Sequence, residues 1–504
     1  MLMRLSVVLP LVACLFFVGC GDDDDADAAA ETNEAENADA PIPDTNTPPD
    51  EGAPDSRPEP IPLPDLLPRG LPATSALGQD GDLRPLRTII HAHSIYSHDA
   101  CDGEPVLKNG EPNEECLASF REALCTDHID VMMLTEHTSR ASQSHFEELF
   151  LHRAGDEWVE EDGIKVASVI ICEDGHRAHI MPGLEGGSGE ISPLGLTGHP
   201  VEPTGDDFSA VGAAYGDASP EGVAKLRAKN AVTTAIHLES QPKDWLATAD
   251  LDALEIGNLH ALVAPDLRAL IGLDPDGPVV AFTEWLFAED GRAPDLVFLE
   301  FHERLQAYMG WWDDLLQKRF ITGFAGNDVH QNVLPLQMPD GDRVDSYRRM
   351  MKWYVNHLMV PELTPQAIRG AIKRGSLYMV FEIMGSPREF VFHAQSDDTV
   401  WRSGDTVPKS AREAGLRLVA PAPPAIIGEA SVAPQVAMRL FRITADSSEV
   451  VADVEGGLDF TVTEPGRYRL EVFATPTHLA NYLGDRGELV RELPWIYTNP
   501  IEVE

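Results

Sequence analysis

The chain has 504 residues, 43% of them apolar, which is enough for two or three domains with real cores. Its formal charge of −45 arises from 83 acidic residues against 38 basic ones. That balance excludes nucleic acid and an anionic membrane face as partners, and favours neutral or cationic ligands at long range.

The first residues read as an export signal. Arg4 precedes the apolar run "LSVVLPLVACLFFVG", which is too short for a spanning helix of about 20 residues. The run closes on Phe17-Val18-Gly19-Cys20, which resembles a bacterial lipobox with Phe in place of the usual Leu. The resemblance implies lipidation at Cys20 and a protein anchored to a bacterial membrane, at the periplasm or the cell surface; a soluble secreted protein is the alternative. Residues 21–67 are rich in Asp, Glu, Ala and Pro with hardly an aromatic, so they cannot offset their ordering entropy and read as a disordered tether. Cys14 leaves with the signal. Cys101, Cys116, Cys125 and Cys172 remain, with three possible pairings. The first expected disulfide is Cys101–Cys116, closing a loop without helical or strand periodicity.

From residue 84 to 384, short apolar runs alternate with helical patterns. Strands are expected at "LRTIIHAH", "IDVMMLTEH", "VASVIICED", "AVTTAIHLE", "DALEIGN", "DLVFLEF" and "ITGFAGND". Helices are expected at "CLASFREALCT", "PEGVAKLRAKN" and "ERLQAYMGWWDDLLQKR". Buried parallel strands in an α/β layer or barrel follow from this alternation. Residues 386–504 change character to short alternating segments separated by Gly, Pro and Asp, which predicts a C-terminal β-sandwich.

Nearly every expected strand ends in a candidate ligand: His91 and His93, Glu136-His137, Glu173, His237, and Asp328 with His330. In closed parallel barrels the C-terminal strand ends converge on one face, where the chemistry sits. His91 and His93 lie at alternate positions of a strand and can grip one ion from one side. Alone, such a pair is as well explained by hydrogen-bonded histidines; the ordered set is what points to metal.

The set resembles the PHP superfamily (polymerase and histidinol phosphatase), in its CehA/McbA-type members. The residues that carry the resemblance are His91-Ala92-His93-Ser94, Ser97-His98-Asp99, Leu134-Thr135-Glu136-His137, "CEDGHRAHIMPG", "AIHLES", "ALEIGN" and Gly326-Asn327-Asp328-Val329-His330. It implies a distorted (β/α)7 barrel with two or three divalent ions, Zn, Mn or Fe. One ion would take His91, His93, Glu173 and Asp328, and a second Glu173, His179 and His237, so that Glu173 bridges. A third would take Asp99, His137 and His330, with His98 as the alternative to Asp99 and His176 as the alternative to His179. Glu136 stands where the family has Asp, and is expected to orient the His137 imidazole beside it.

The resemblance also implies a hydrolase. Paired ions lower the pKa of water to about 7, so no side-chain nucleophile is needed; no Gly-x-Ser-x-Gly elbow is present. Asp328 is the expected proton acceptor and Glu173 the expected bridge. Arg140, His176, Arg177, His260 and His302 are candidate contacts to a small ester, although ordinary hydrogen bonding is the plainer reading of each. Phosphoesters come first, with carboxyl or carbamate esters as the alternative. A metal- or glycan-binding lipoprotein without turnover is a reading from another class. An amidohydrolase barrel also starts with His-x-His, but the Glu136-His137 and Asp328-x-His330 pairs fit PHP better.

Overall fold

The computed structural model describes residues 67–288 and 292–504; the export signal with Cys14 and Cys20, and the acidic stretch up to residue 66, lie outside the described residues. Among the described residues no helix is long and apolar enough to cross a membrane.

Local signals in the sequence set the helix ends. Asn113 caps Glu114–Thr126 by accepting from Cys116 N at 3.1 Å, with Glu114 and Glu115 in the positive first turn. Ser219 caps Pro220–Ala228 in the same way, with Pro in its first turn. Thr364 caps Pro365–Arg374, which stops at Gly375 in the left-handed conformation that glycine adopts freely. Gln306–Leu316 buries Tyr308, Met309, Trp312 and Leu316 on one face, as its periodicity predicts.

The fold is mixed α/β, built on a thirteen-stranded sheet. Arg84–Ile90 pairs in parallel with Val131–Met133, which pairs in parallel with Arg177–Met181. On its other side Arg84–Ile90 meets Val355–Val360 antiparallel. A second sheet holds Val232–Ala235, Ala253–Asn258 and Thr322–Gly326 in parallel, with Ser192–Leu194 antiparallel at its edge. A parallel bridge between Ala92 and Val329 joins the two sheets just past their strand ends. Glu136–His137 and Leu184–Glu185 form a short parallel pair beside it. Six parallel strand ends therefore open on one rim.

Two expected strands differ. "DLVFLEF" is a 3-10 helix, Pro294–Phe301, buried throughout. A continuous apolar run has no periodicity to separate strand from helix, and Pro294 presets a helical first turn. "VASVIICED" is a strand, Ile164–Ile171, but it runs antiparallel to Arg177–Met181 in a hairpin. Its C-terminal end therefore points away from the rim.

The boundary expected near residue 385 is crossed by main-chain hydrogen bonds. Leu377–Val380 pairs with Leu493–Thr498, and through it with Gly466–Thr475, so the large sheet continues into the C-terminal region. A separate four-stranded sheet from that region contains His393–Ser396, Thr399–Arg402, Arg417–Ala420 and Leu458–Thr461. The expected Cys101–Cys116 disulfide closes, with a Cα separation of 5.8 Å, and Cys125 pairs with Cys172 at 5.6 Å.

Candidate metal centre

Each residue at the rim follows a parallel strand. His91 and His93 follow Arg84–Ile90, and Glu185 follows Arg177–Met181. His237 follows Val232–Ala235, and Asp328 and His330 follow Thr322–Gly326. Three of them hold left-handed backbone: His91 at φ +68°, His237 at +50° and Asp328 at +54°. Non-glycine residues there cost of order 1 kcal/mol or more each, and such strain clusters at functional sites. Gly326 makes the packing possible, because a Cβ on it would lie 1.7 Å from Glu255 Oε1.

The histidines are oriented from behind. A carboxylate only accepts, so His91 Nδ1 donates to Glu255 Oε1 at 2.6 Å, and His237 Nδ1 donates to Glu239 Oε1 at 3.0 Å. Ser97 gives its proton to Glu136 Oε2 at 2.7 Å, so its oxygen accepts from His93 Nδ1 at 2.8 Å. Ser94 N also donates to Glu136, at 3.0 Å. In all three histidines Nδ1 is thus held from behind and Nε2 is turned to the rim, the arrangement by which proteins fix metal-binding imidazoles.

These Nε2 atoms converge on two carboxylates. Asp328 Oδ1 lies 3.2 Å from His91 Nε2 and 3.3 Å from His93 Nε2. Glu185 lies 2.9 Å from His237 Nε2, 3.4 Å from His93 Nε2 and 3.2 Å from His137 Nδ1. Asp99 lies 3.3 Å from His137 Nε2 and 3.4 Å from His330 Nε2. The His330 ring stacks on His93 at 3.8 Å.

Five buried atoms here make no hydrogen bond: His91 Nε2, His93 Nε2, Asp99 Oδ1, Glu185 Oε2 and Asp328 Oδ1. Buried polar atoms are rarely left so. The candidate ligand groups are His91, His93 and Asp328; His91, Glu185 and His237; His93, His137 and His330; and His98, Asp99 and His137, each with donor atoms within 4.8 Å of one another. Nitrogen and carboxylate donors of this kind suit divalent Zn, Mn or Fe, so the residues present fit the ions that the sequence implies.

The electrostatics show how tightly the groups are coupled. Burial alone would lower His91, but the Asp328 and Glu255 carboxylates outweigh it and raise it to about 10. Burial, with the His330 imidazole beside it, depresses His93 to about 3. His137 rises to about 9, because the Asp99 carboxylate overcomes its burial. Burial would raise Asp99 and Asp328, but neighbouring imidazoles hold both well below the usual carboxylate range. A divalent cation among these atoms would displace the protons that the imidazoles otherwise carry.

Other expected residues stand elsewhere. Glu173 is exposed in the hairpin turn, and His179 is buried mid-strand opposite Val131 and Val169. Neither belongs to a converging ligand group, and Glu185 is the glutamate that lies among His91, His93, His137 and His237. His176 Nε2 donates to the Ile129 carbonyl at 2.8 Å, and Arg177 pairs with Glu157, on the strand Glu157–Glu161, at 2.6 Å. His302 is a buried core residue, held by the Pro494 carbonyl at 2.8 Å and packed on Phe381. Two candidate substrate contacts remain near the rim. His260 Nδ1 reaches Asp328 Oδ2 at 3.1 Å, and Arg140 stands 5.8 Å from the Tyr96 ring, a few residues beyond His137.

The sequence reasoning missed Glu185, Glu239 and Glu255 as site residues. A signal for Glu185 was present: Asp174-Gly175 between two apolar runs is a hairpin turn, which makes "RAHIM" the strand that leads to the rim. The roles of Glu239 and Glu255 depend on which strands become neighbours.

No family model matches the chain, and no curated protein does. Among solved structures, one similar chain is described as a two-domain protein containing a predicted PHP-like metal-dependent phosphoesterase, from Bacteroides vulgatus ATCC 8482. It is 13% identical, with 89% of this chain and 100% of that chain covered and a TM-score of 0.31. A likeness at that level carries neither fold nor activity over to this chain.

Proposed function

We propose that the protein is a metal-dependent hydrolase acting on a phosphoester, with its strands arranged as a distorted barrel around the rim. One observation carries the reading: the Nε2 atoms of His91, His93 and His237, each fixed by an acceptor at Nδ1, converge on Asp328 and Glu185, whose buried oxygens Oδ1 and Oε2 lack hydrogen bonds. Bound divalent ions would supply Lewis acidity and lower the pKa of water.

The chain's own residues do the rest. Glu255, Ser97 and Glu239 hold three imidazoles in one tautomer. Asp328, held in its ionised form by the imidazoles around it, is placed to accept a proton from an attacking water. Arg140 is the cation closest in sequence to the rim ligands and would meet an anionic end of the substrate. The overall negative charge selects against multiply charged anions, which favours a diester or a monoanion. Carboxyl or carbamate esters form the second substrate class. The two disulfides fit an oxidising compartment; export with a lipid anchor at Cys20 is proposed from the sequence alone.

The test is a screen of p-nitrophenyl phosphate, a phosphodiester and a carboxylate ester, with and without Mn or Zn. Metal-dependent turnover of a phosphoester that is lost in His237→Ala is expected. Turnover of carboxylate esters alone would move the assignment to the second class. Metal retention with no turnover on any ester would favour a binding protein.

A further inference from the structure

Besides their continuity with the large sheet, the C-terminal strands reach the metal centre through a helix. Behind His237, Glu239 is almost fully buried and uses both oxygens: Oε1 accepts from His237 Nδ1, and Oε2 accepts from the Tyr308 hydroxyl. Tyr308 is itself fully buried, on the helix Gln306–Leu316. That helix is gripped from the C-terminal region. Arg469, on Gly466–Thr475, donates to both oxygens of Asp313 at 2.7 and 2.8 Å, and Ser448 donates to Asp313 Oδ2 at 2.7 Å. Arg469 also donates to Glu471 at 2.6 Å, and Glu471 accepts two hydrogen bonds from Arg304, just before the helix begins, at 2.6 and 2.7 Å. Both ends of the helix are therefore tied to one sheet, and the helix presents Tyr308 to Glu239.

His237 needs this support. Its backbone is left-handed, and its ring is only partly enclosed, with a side-chain exposure of 20%. His91 and His93, by contrast, are fully enclosed. We propose that the C-terminal sheet positions the His237 imidazole by way of Tyr308 and Glu239, making these two positioning residues for the metal centre; the inference rests on the metal-centre reading above. It assigns the C-terminal region a part in building the site.

The test compares Zn affinity, by chelator competition on the full chain, for the wild type, Tyr308→Phe and Glu239→Gln. Tyr308→Phe keeps the ring and removes the hydroxyl; Glu239→Gln keeps the shape and removes the charge. Both variants are expected to bind the weakest-held ion about 10- to 100-fold less tightly, the usual cost of losing an outer hydrogen-bond partner. The melting temperature of the metal-free protein should stay unchanged, which a purely structural role would not produce. Asp313→Asn should shift the affinity the same way by a smaller factor. Wild-type affinity, within about twofold, in both Tyr308→Phe and Glu239→Gln would overturn the inference and leave the metal centre standing. If one variant fails to fold, the other decides. A wild-type chain that binds no Zn would overturn the metal-centre reading and this inference together.

Discussion

Two clusters of buried charge in this molecule differ in how their carboxylates are partnered. Asp295 itself is fully paired, while neighbouring Asp127, 3.7 Å from Lys352 Nζ, makes no side-chain hydrogen bond. The two oxygens of Asp295 accept from Arg348 at 2.8 and 2.9 Å, from Lys352 at 2.8 Å and from Arg349. Arg349 turns its remaining nitrogen to Asp340, at 2.9 and 3.0 Å. Around Asp328 the residues are as deeply buried, yet five donor atoms lack hydrogen bonds and three backbones are left-handed. The Asp295 carboxylate is satisfied by fixed cations of the chain. The Asp328 carboxylate faces imidazoles, which a divalent cation could replace as its partners. Burial of charge is common to both; the imidazoles and the backbone strain set the Asp328 cluster apart.

That contrast can be broken in order of effect. Asp328→Asn and His237→Ala should each lower turnover by about a thousandfold or more while circular dichroism stays native, since each removes a ligand and a several kcal/mol share of the transition-state stabilisation. Retained activity in either variant would place the chemistry elsewhere. Asp295→Ala should do the opposite. It should cost about 3–5 kcal/mol in urea unfolding, because it strands buried cations, while the folded fraction keeps its metal. Reduction of both disulfides should cost about 3–4 kcal/mol for each, with the larger loss from the longer Cys125–Cys172 loop.

The smallest effect is in acid. Burial opposes ionisation of Glu382, but Arg87 and His357 outweigh it and hold its carboxyl at about 2, below the ordinary 4.5. A depressed carboxyl stabilises the fold fully above the ordinary value, and the contribution is lost as pH falls through the folded one. Up to about 3 kcal/mol should therefore disappear between the two values. Glu382→Gln should flatten that acid limb of the stability curve; an unchanged limb would show that Glu382 does not carry it.

What could be read in the sequence follows a physical rule. His91, His93, His137, His237, Asp328 and His330 are brought together because each follows a parallel strand, and order along the chain then maps onto one rim. The rule failed once, at Glu173 and His179. There the hairpin of Ile164–Ile171 with Arg177–Met181 reverses one strand, so Glu173 emerges at the far end and Glu185 at the rim. The run "DLVFLEF" gave no period by which to distinguish a 3-10 helix from a strand. Glu239, Glu255 and the continuation of the sheet past residue 385 were not legible. They depend on contacts between elements far apart in the chain, and local patterns do not encode those contacts.

Metal content is the most direct measurement. The described part of the chain, from residue 67, should be dialysed against Zn or Mn, freed of loose ions and analysed by mass spectrometry beside Asp328→Asn. The account predicts at least two divalent ions per wild-type chain, and a loss of bound metal in the variant. A folded wild-type protein that emerges with no ion would contradict it.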